Sequence, residues 1–243
     1  MIKFRIFFLA ITLLLNYFVV SQNDIDKKYL LGKIQTTDSI LKKIPREFCL
    51  YRDEFLHKDV VDSFVAMYKE ALKDGIELKV VSAFRPFSQP IYGQKYLWEL
   101  KFNNISKNLK TTDTLKIAKE VLKYSSMPGT SRHHWGTEVD LCTLEDSFFV
   151  NTEKGKKIYK WLQNNAHKFG FYQPYTAGRT GGYYEEKWHW SYIPLAAKYL
   201  EDYKKKVKFS DISGFLGDSK VKELDVIKNY VLNINPNLLE DKD

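Results

Sequence analysis

The chain has 243 residues, 44% hydrophobic and 15% aromatic, with a formal net charge of +8 and two cysteines. This is ample apolar content for one well-filled core, and it excludes a disordered, collagenous or coiled-coil chain. The positive charge suits an anionic partner such as a cell-wall polymer or membrane phosphate, yet it is diffuse. Lys156-Lys157 and Lys204-Lys205-Lys206 read as solvated helix faces, and no nucleic-acid motif is present.

Residues 1–21 have the layout of a secretory signal peptide. Lys3 and Arg5 precede an apolar run from Ile6 to Val20, broken only by Thr12 and Asn16, and Val19 and Ser21 supply the small residues before a cut after Ser21. The run is about fifteen residues, short of the roughly 20 that span a bilayer, so an uncleaved anchor is the lesser alternative. No cysteine follows the run to carry a lipid. Cleavage lowers the net charge from +8 to +6, and the protein is expected to be exported, with no stable membrane partner.

Residues 22–47 form a polar lead-in, with a mobile start and a short helix; residues 48–243 form the main domain. Phe48 to Phe55 is aromatic enough to be anchored on the core. From Asp59, a reasonable N-cap, Val60, Val61, Phe64, Val65, Met67, Tyr68, Ala71 and Leu72 recur at helical spacing up to a stop at Gly75. Glu77 to Phe84 predicts a strand ending at Arg85-Pro86. Helices are expected over 91–102 and 113–124, with 103–112 a polar loop between them. Residues 137–141 and 188–192 read as strands, 155–168 as a helix, 175–184 as a glycine-rich loop that could rim a site, and 194–206 and 221–232 as closing helices. Helices and short strands intermix without regular alternation, which predicts an α+β fold.

The chemistry lies in S-R-H-H-W-G-T-E-V-D, Ser131 to Asp140, and in Glu186-Lys187-Trp188-His189. Two imidazoles and a carboxylate are a common ligand set for a catalytic zinc, and a further glutamate can serve as base. Gly136 allows the chain to turn Asp140 back beside His133, and Glu186 and His189 lie three residues apart. Spacing alone leaves His133 against His134, and Glu186 against Glu185, undecided. Arg85 is the leading candidate to stabilise an oxyanion, with Arg132 and Arg179 behind it. Cys142 lies two residues after Asp140, so a thiolate ligand is conceivable. A buried free thiol, or a disulfide between Cys49 and Cys142, is the simpler reading. Trp135, Trp188 and Trp190 read as core and site wall and not as a sugar platform.

Three blocks in order, V-S-A-F-R, P-G-T-S-R-H-H-W-G-T-E-V-D and E-E-K-W-H-W-S-Y, resemble the VanY-type zinc D-alanyl-D-alanine carboxypeptidases, which share a fold with the Hedgehog signalling domain and some phage endolysins. The resemblance spans roughly residues 80–192. It implies a single-domain α+β fold with a small antiparallel sheet flanked by helices, and one zinc per chain held by His133, Asp140 and His189. It further implies Glu186 as general base, Arg85 at the substrate carbonyl and oxyanion, and Ser131 hydrogen-bonded to substrate. Gln94 best matches a substrate-contacting glutamine after a short insertion. The family usually has a small residue where this chain has Glu138, which would add negative charge near the metal if it faced the site. The implied activity is hydrolysis of the terminal D-alanine of peptidoglycan stem peptides; a monomer is the default expectation. An L,D-carboxypeptidase or stem endopeptidase is the rival within the same chemistry. A zinc-stabilised cell-wall binding module is the rival from another class, and a serine or cysteine hydrolase using Ser131 or Cys142 with His133 is a distant third.

Overall fold

The computed structural model describes residues 24–238. Residues 1–21, expected to be a signal peptide, lie outside that range. Among the described residues no helix is long and apolar enough to cross a membrane.

In chain order the elements are α1 (Lys27–Leu30), β1 (Leu41–Lys43), β2 (Phe55–His57), α2 (Lys58–Lys73), β3 (Val80–Ser82), α3 (Gln94–Leu109), α4 (Thr114–Val121), β4 (Glu138–Leu141), α5 (Asp146–Asn151), α6 (Glu153–Asn165), β5 (Phe171–Tyr172), β6 (His189–Tyr192) and α7 (Ile193–Lys206). The strands form an antiparallel pair, β1–β2, and a four-stranded antiparallel sheet in the order β3-β4-β6-β5. The fold is α+β, with the small antiparallel sheet and flanking helices that the sequence predicts.

Two apolar clusters fill the interior. One packs Val80, Val139, Leu141, Phe171 and Trp190 of the sheet against Phe64 and Met67 of α2 and Ile158 and Leu162 of α6. The other gathers Trp98, Ile117, Trp135, Tyr199 and Tyr203 with the C-terminal segment. The short helix expected in the lead-in is present as α1, but the segment is packed onto the domain: Leu30, Leu31, Ile34 and Ile44 are buried, and β1 pairs with β2. Of the Phe48–Phe55 stretch, Phe48 and Cys49 are anchored while Leu50 and Tyr51 face solvent.

The helices differ from expectation at their ends. His57, and not Asp59, caps α2, its ring accepting the Asp59 amide at 3.3 Å, which leaves Asp59 in the first turn facing the positive end of the helix dipole. The polar stretch 103–112 is largely helical: α3 continues to Leu109 because buried Phe102 holds its middle on the core, and it ends at Lys110 in a left-handed conformation. The helix expected over 155–168 is preceded by a separate α5. Thr152 breaks the pair with extended backbone and caps α6 by accepting the Gly155 amide. Gly155 is needed there, since a Cβ would meet the Phe148 carbonyl oxygen at 2.0 Å. The closing helix expected over 221–232 reduces to turns and one π-type segment, Ile227–Val231, because Asp225 sits at φ 42.

Candidate metal centre and its pocket

Strand periodicity builds the site. On β4, Glu138 and Asp140 point to one side, while Val139 and Leu141 point to the core on the other. β6 runs antiparallel with Asp140 opposite His189 and Glu138 opposite Ser191, so four polar side chains meet on one face. Ser82 of β3 lies opposite Asp140 on the other flank.

His133 comes from a 3-10 turn, Arg132–Trp135, closed by Gly136 in the left-handed region. A side chain at Gly136 would meet the His57 amide nitrogen at 2.7 Å, so glycine is the residue that lets the turn pack and return the chain to β4. The end of β3 anchors this turn. The Arg85 amide donates to the His133 carbonyl, and the Ala83 carbonyl accepts from His133 Nδ1 at 2.7 Å, leaving Nε2 free as a ligand. His133 Nε2 lies 3.2 Å from Asp140 Oδ2, and His189 Nδ1 lies 2.9 Å from Asp140 Oδ1. Ligand atoms of His133, Asp140 and His189 all fall within 4.8 Å of one another, and all three residues are buried.

The donor chemistry fits a cation. His189 is buried, which disfavours its charged form, yet its hydrogen bonds to Asp140 and Glu138 hold the imidazole up at about 10. Asp140 is held far below the ordinary carboxylate range: burial opposes this, but the two histidines outweigh it. With Asp140 on Nδ1 and Glu138 on Nε2, carboxylates flank His189 on both sides, and the buried negative charge of Asp140 beside two imidazoles suits a bound cation. No cysteine belongs to this group. Cys49 and Cys142 are both free thiols, and Cys142 turns away, its sulfur donating to the Glu77 carbonyl.

His134 points elsewhere. Its Nδ1 donates to the Arg85 carbonyl at 2.6 Å and its Nε2 accepts the Gly129 amide at 3.0 Å, so both ring nitrogens are committed to structure. Burial holds its pKa down at about 3.

A cavity of about 360 Å³ opens onto the cluster and is lined by Arg85, Ser131, His133, Asp140, Glu186 and His189, with Lys101, Tyr175 and Trp188 on its walls. Glu186 Oε2 stands 3.8 Å from His189 Nδ1, and its backbone is pinned by Tyr175 and Gln173. Burial pushes its carboxyl up to about 8, against the pull of His189, Lys101 and Arg85. Glu185 is instead paired with Lys187. Ser131 Oγ is buried on the pocket wall without a hydrogen-bond partner.

Arg85 donates to Gln94 Oε1 at 2.9 Å and Ser82 Oγ at 3.0 Å, and reaches Asp140 Oδ2 at 3.5 Å. The substrate contact expected of Gln94 does not fit its placement. Gln94 has no exposed surface, and its amide is used up by Arg85 and the Ser126 carbonyl, so it braces Arg85 from behind. Arg132 lines the pocket but pairs through Nη2 with Glu138 and Ser191, and Arg179 is held by carbonyls of its own loop and of Asn233. Trp135 and Trp190 are core residues, and Trp188 is both core and pocket wall.

Sequence reading missed two contributors: the Ala83 carbonyl behind His133, and the ring of Tyr175, which lies 4.8 Å from that of His189 at the start of the loop expected to rim the site. Glu138, expected to add negative charge if it faced the site, does not face the pocket; it is wholly buried behind His189.

The VanY family profile, described as D-alanyl-D-alanine carboxypeptidase, matches residues 53–195. YodJ of Bacillus subtilis (strain 168) is 30% identical over 184 residues, covering 73% of this chain and 62% of that protein. The D-alanyl-D-alanine carboxypeptidase of Enterococcus faecalis (strain ATCC 700802 / V583) is 25% identical over 161 residues, covering 63% and 56%. The chain thus spans about 60% of the length of these curated relatives. The solved LdcB LD-carboxypeptidase matches with a TM-score of 0.50 at 26% identity, over 73% of this chain and 81% of that one. A profile match over more than half the chain, enclosing every residue of the cluster and its pocket named above, has one conclusion: this chain belongs to the VanY family.

Proposed function

We propose that the chain is an exported, monomeric zinc carboxypeptidase that removes the terminal D-alanine of peptidoglycan stem peptides. The observation that carries this reading is the buried His133–Asp140–His189 cluster with the Glu186 carboxylate beside it on the wall of one pocket. His133 Nε2, Asp140 and His189 Nδ1 would hold the zinc, which when bound polarises a carbonyl and lowers the pKa of water.

The chain's own groups carry the remaining steps. Glu186 takes a proton from the attacking water as its oxygen joins the scissile carbonyl carbon, and returns it to the amine as the C–N bond breaks. Arg85, held in place by Gln94 and Ser82, sets positive charge where the carbonyl oxygen gains its electrons. The unpartnered Ser131 hydroxyl donates to the substrate backbone. A site that only stabilised a fold would have no use for a carboxylate at Glu186, which weighs against a binding module.

The D,D assignment draws on the family description and the E. faecalis relative. Cleavage of an L,D bond is the second reading, favoured by the structural match to LdcB. Export draws on the signal-peptide pattern of residues 1–21. Mass analysis of stem penta- and tetrapeptides incubated with zinc-loaded protein tests the assignment. The pentapeptide should lose one terminal D-alanine. Tetrapeptide trimming alone would move the assignment to the L,D bond, and an internal cut would overturn the carboxypeptidase reading.

A further inference from the structure

Glu138 is a buried carboxylate with an uneven set of partners. Its Oε1 accepts from Thr137 Oγ1 at 2.9 Å and Ser191 Oγ at 2.7 Å, and lies 3.3 Å from Arg132 Nη2. Its Oε2 is left for one group, His189 Nε2, at 2.9 Å. Arg132 in turn donates to Ser191 Oγ at 2.7 Å and stacks over the Trp135 ring, so the carboxylate is gripped from behind and its charge is compensated inside the protein. Of these residues only Arg132 and His189 line the pocket.

We propose that Glu138, braced by Arg132, Thr137 and Ser191, is a positioning residue that fixes the ring orientation and tautomer of His189 so that Nδ1 is the nitrogen offered to the metal. The inference rests on the reading of His133, Asp140 and His189 as zinc ligands. An ionised carboxylate only accepts hydrogen bonds, so Oε2 holds the proton on His189 Nε2. The other nitrogen, Nδ1, is the one that faces Asp140 and Glu186. The two histidine ligands are thereby set in opposite senses: the Ala83 carbonyl holds the proton on Nδ1 of His133 and frees Nε2, and Glu138 does the reverse for His189. The register makes this possible, because Glu138 lies diagonal to His189 on the face that Asp140 and Ser191 share.

Glu138→Gln gives a sharp test. The three donors behind the side chain claim the amide oxygen, which turns the NH₂ group toward His189 Nε2. Nε2 must then be bare, and the proton moves to Nδ1, where it competes with the metal. We expect zinc affinity of the full chain, measured by chelator competition, to fall about 10–100-fold. Heteronuclear NMR of histidine-labelled, zinc-loaded wild type should show His189 protonated on Nε2 and coordinated through Nδ1. Val139→Ala, whose side chain faces the opposite core, is the control: it should lower the melting temperature and leave zinc affinity unchanged. Glu138→Gln binding zinc as tightly as wild type would overturn the proposal. If that variant does not fold, the wild-type spectrum decides, and coordination of His189 through Nε2 overturns it. Wild type that binds no zinc at all would instead remove the ligand assignment on which the proposal stands.

Discussion

The two faces of β4 and β6 differ in kind although they are written in the same eight residues. One face, Val139, Leu141 and Trp190, is continuous with the core under α2 and α6. The other, Glu138, Asp140, His189 and Ser191, is a buried polar ladder that holds the proposed metal ligands. The alternation of a strand puts fold and chemistry back to back, so each ligand inherits the rigidity of the core behind it. It also means that substitutions one residue apart should fail in different ways.

The largest separation is expected from Asp140→Ala. It should abolish bound zinc and turnover together, read by metal analysis and D-alanine release on the same sample; retained zinc would remove Asp140 as a ligand. Glu186→Gln should keep zinc and lose about 10²–10⁴-fold in turnover, because only proton transfer is removed. On the opposite face, Leu141→Ala should cost about 2–5 kcal/mol of stability by denaturant unfolding, with turnover per folded molecule preserved.

The smallest and most selective contrast is between neighbouring histidines. His134→Gln should leave zinc content unchanged, whereas His133→Gln should lower it. His134 also carries a pH signature. The unfolded chain takes up a proton at this side chain near 6.5 and the folded chain only near 3, so its contribution is complete above 6.5 and is lost as the pH falls toward 3. Melting temperature followed through that window should fall less steeply in His134→Gln than in wild type.

How much of this could be read from the sequence follows from what is local. Val139, Asp140 and Leu141 sit on a strand whose pattern is visible within five residues, and the apolar spacing of α2 needs no partner to be recognised. The metal cluster was legible because three motif blocks in order carry a family resemblance; spacing by itself did not separate His133 from His134 or Glu186 from Glu185. What escaped is long-range. The Ala83 carbonyl behind His133 is fifty residues away in the chain. Gln94 matches a substrate-contacting position only through the family resemblance, but packing spends both ends of its amide on Arg85 and Ser126. The continuation of α3 past Phe102 and the breaking of 221–232 at Asp225 depend on tertiary anchoring and one positive φ, neither of which leaves a periodic trace.

Zinc content and D-alanine release, measured together on wild type and Glu186→Ala with a stem pentapeptide ending in D-Ala-D-Ala, test the central claim most directly. The account predicts zinc in both proteins and D-alanine from wild type only. Equal D-alanine release from both, or release that resists removal of the metal, would contradict it.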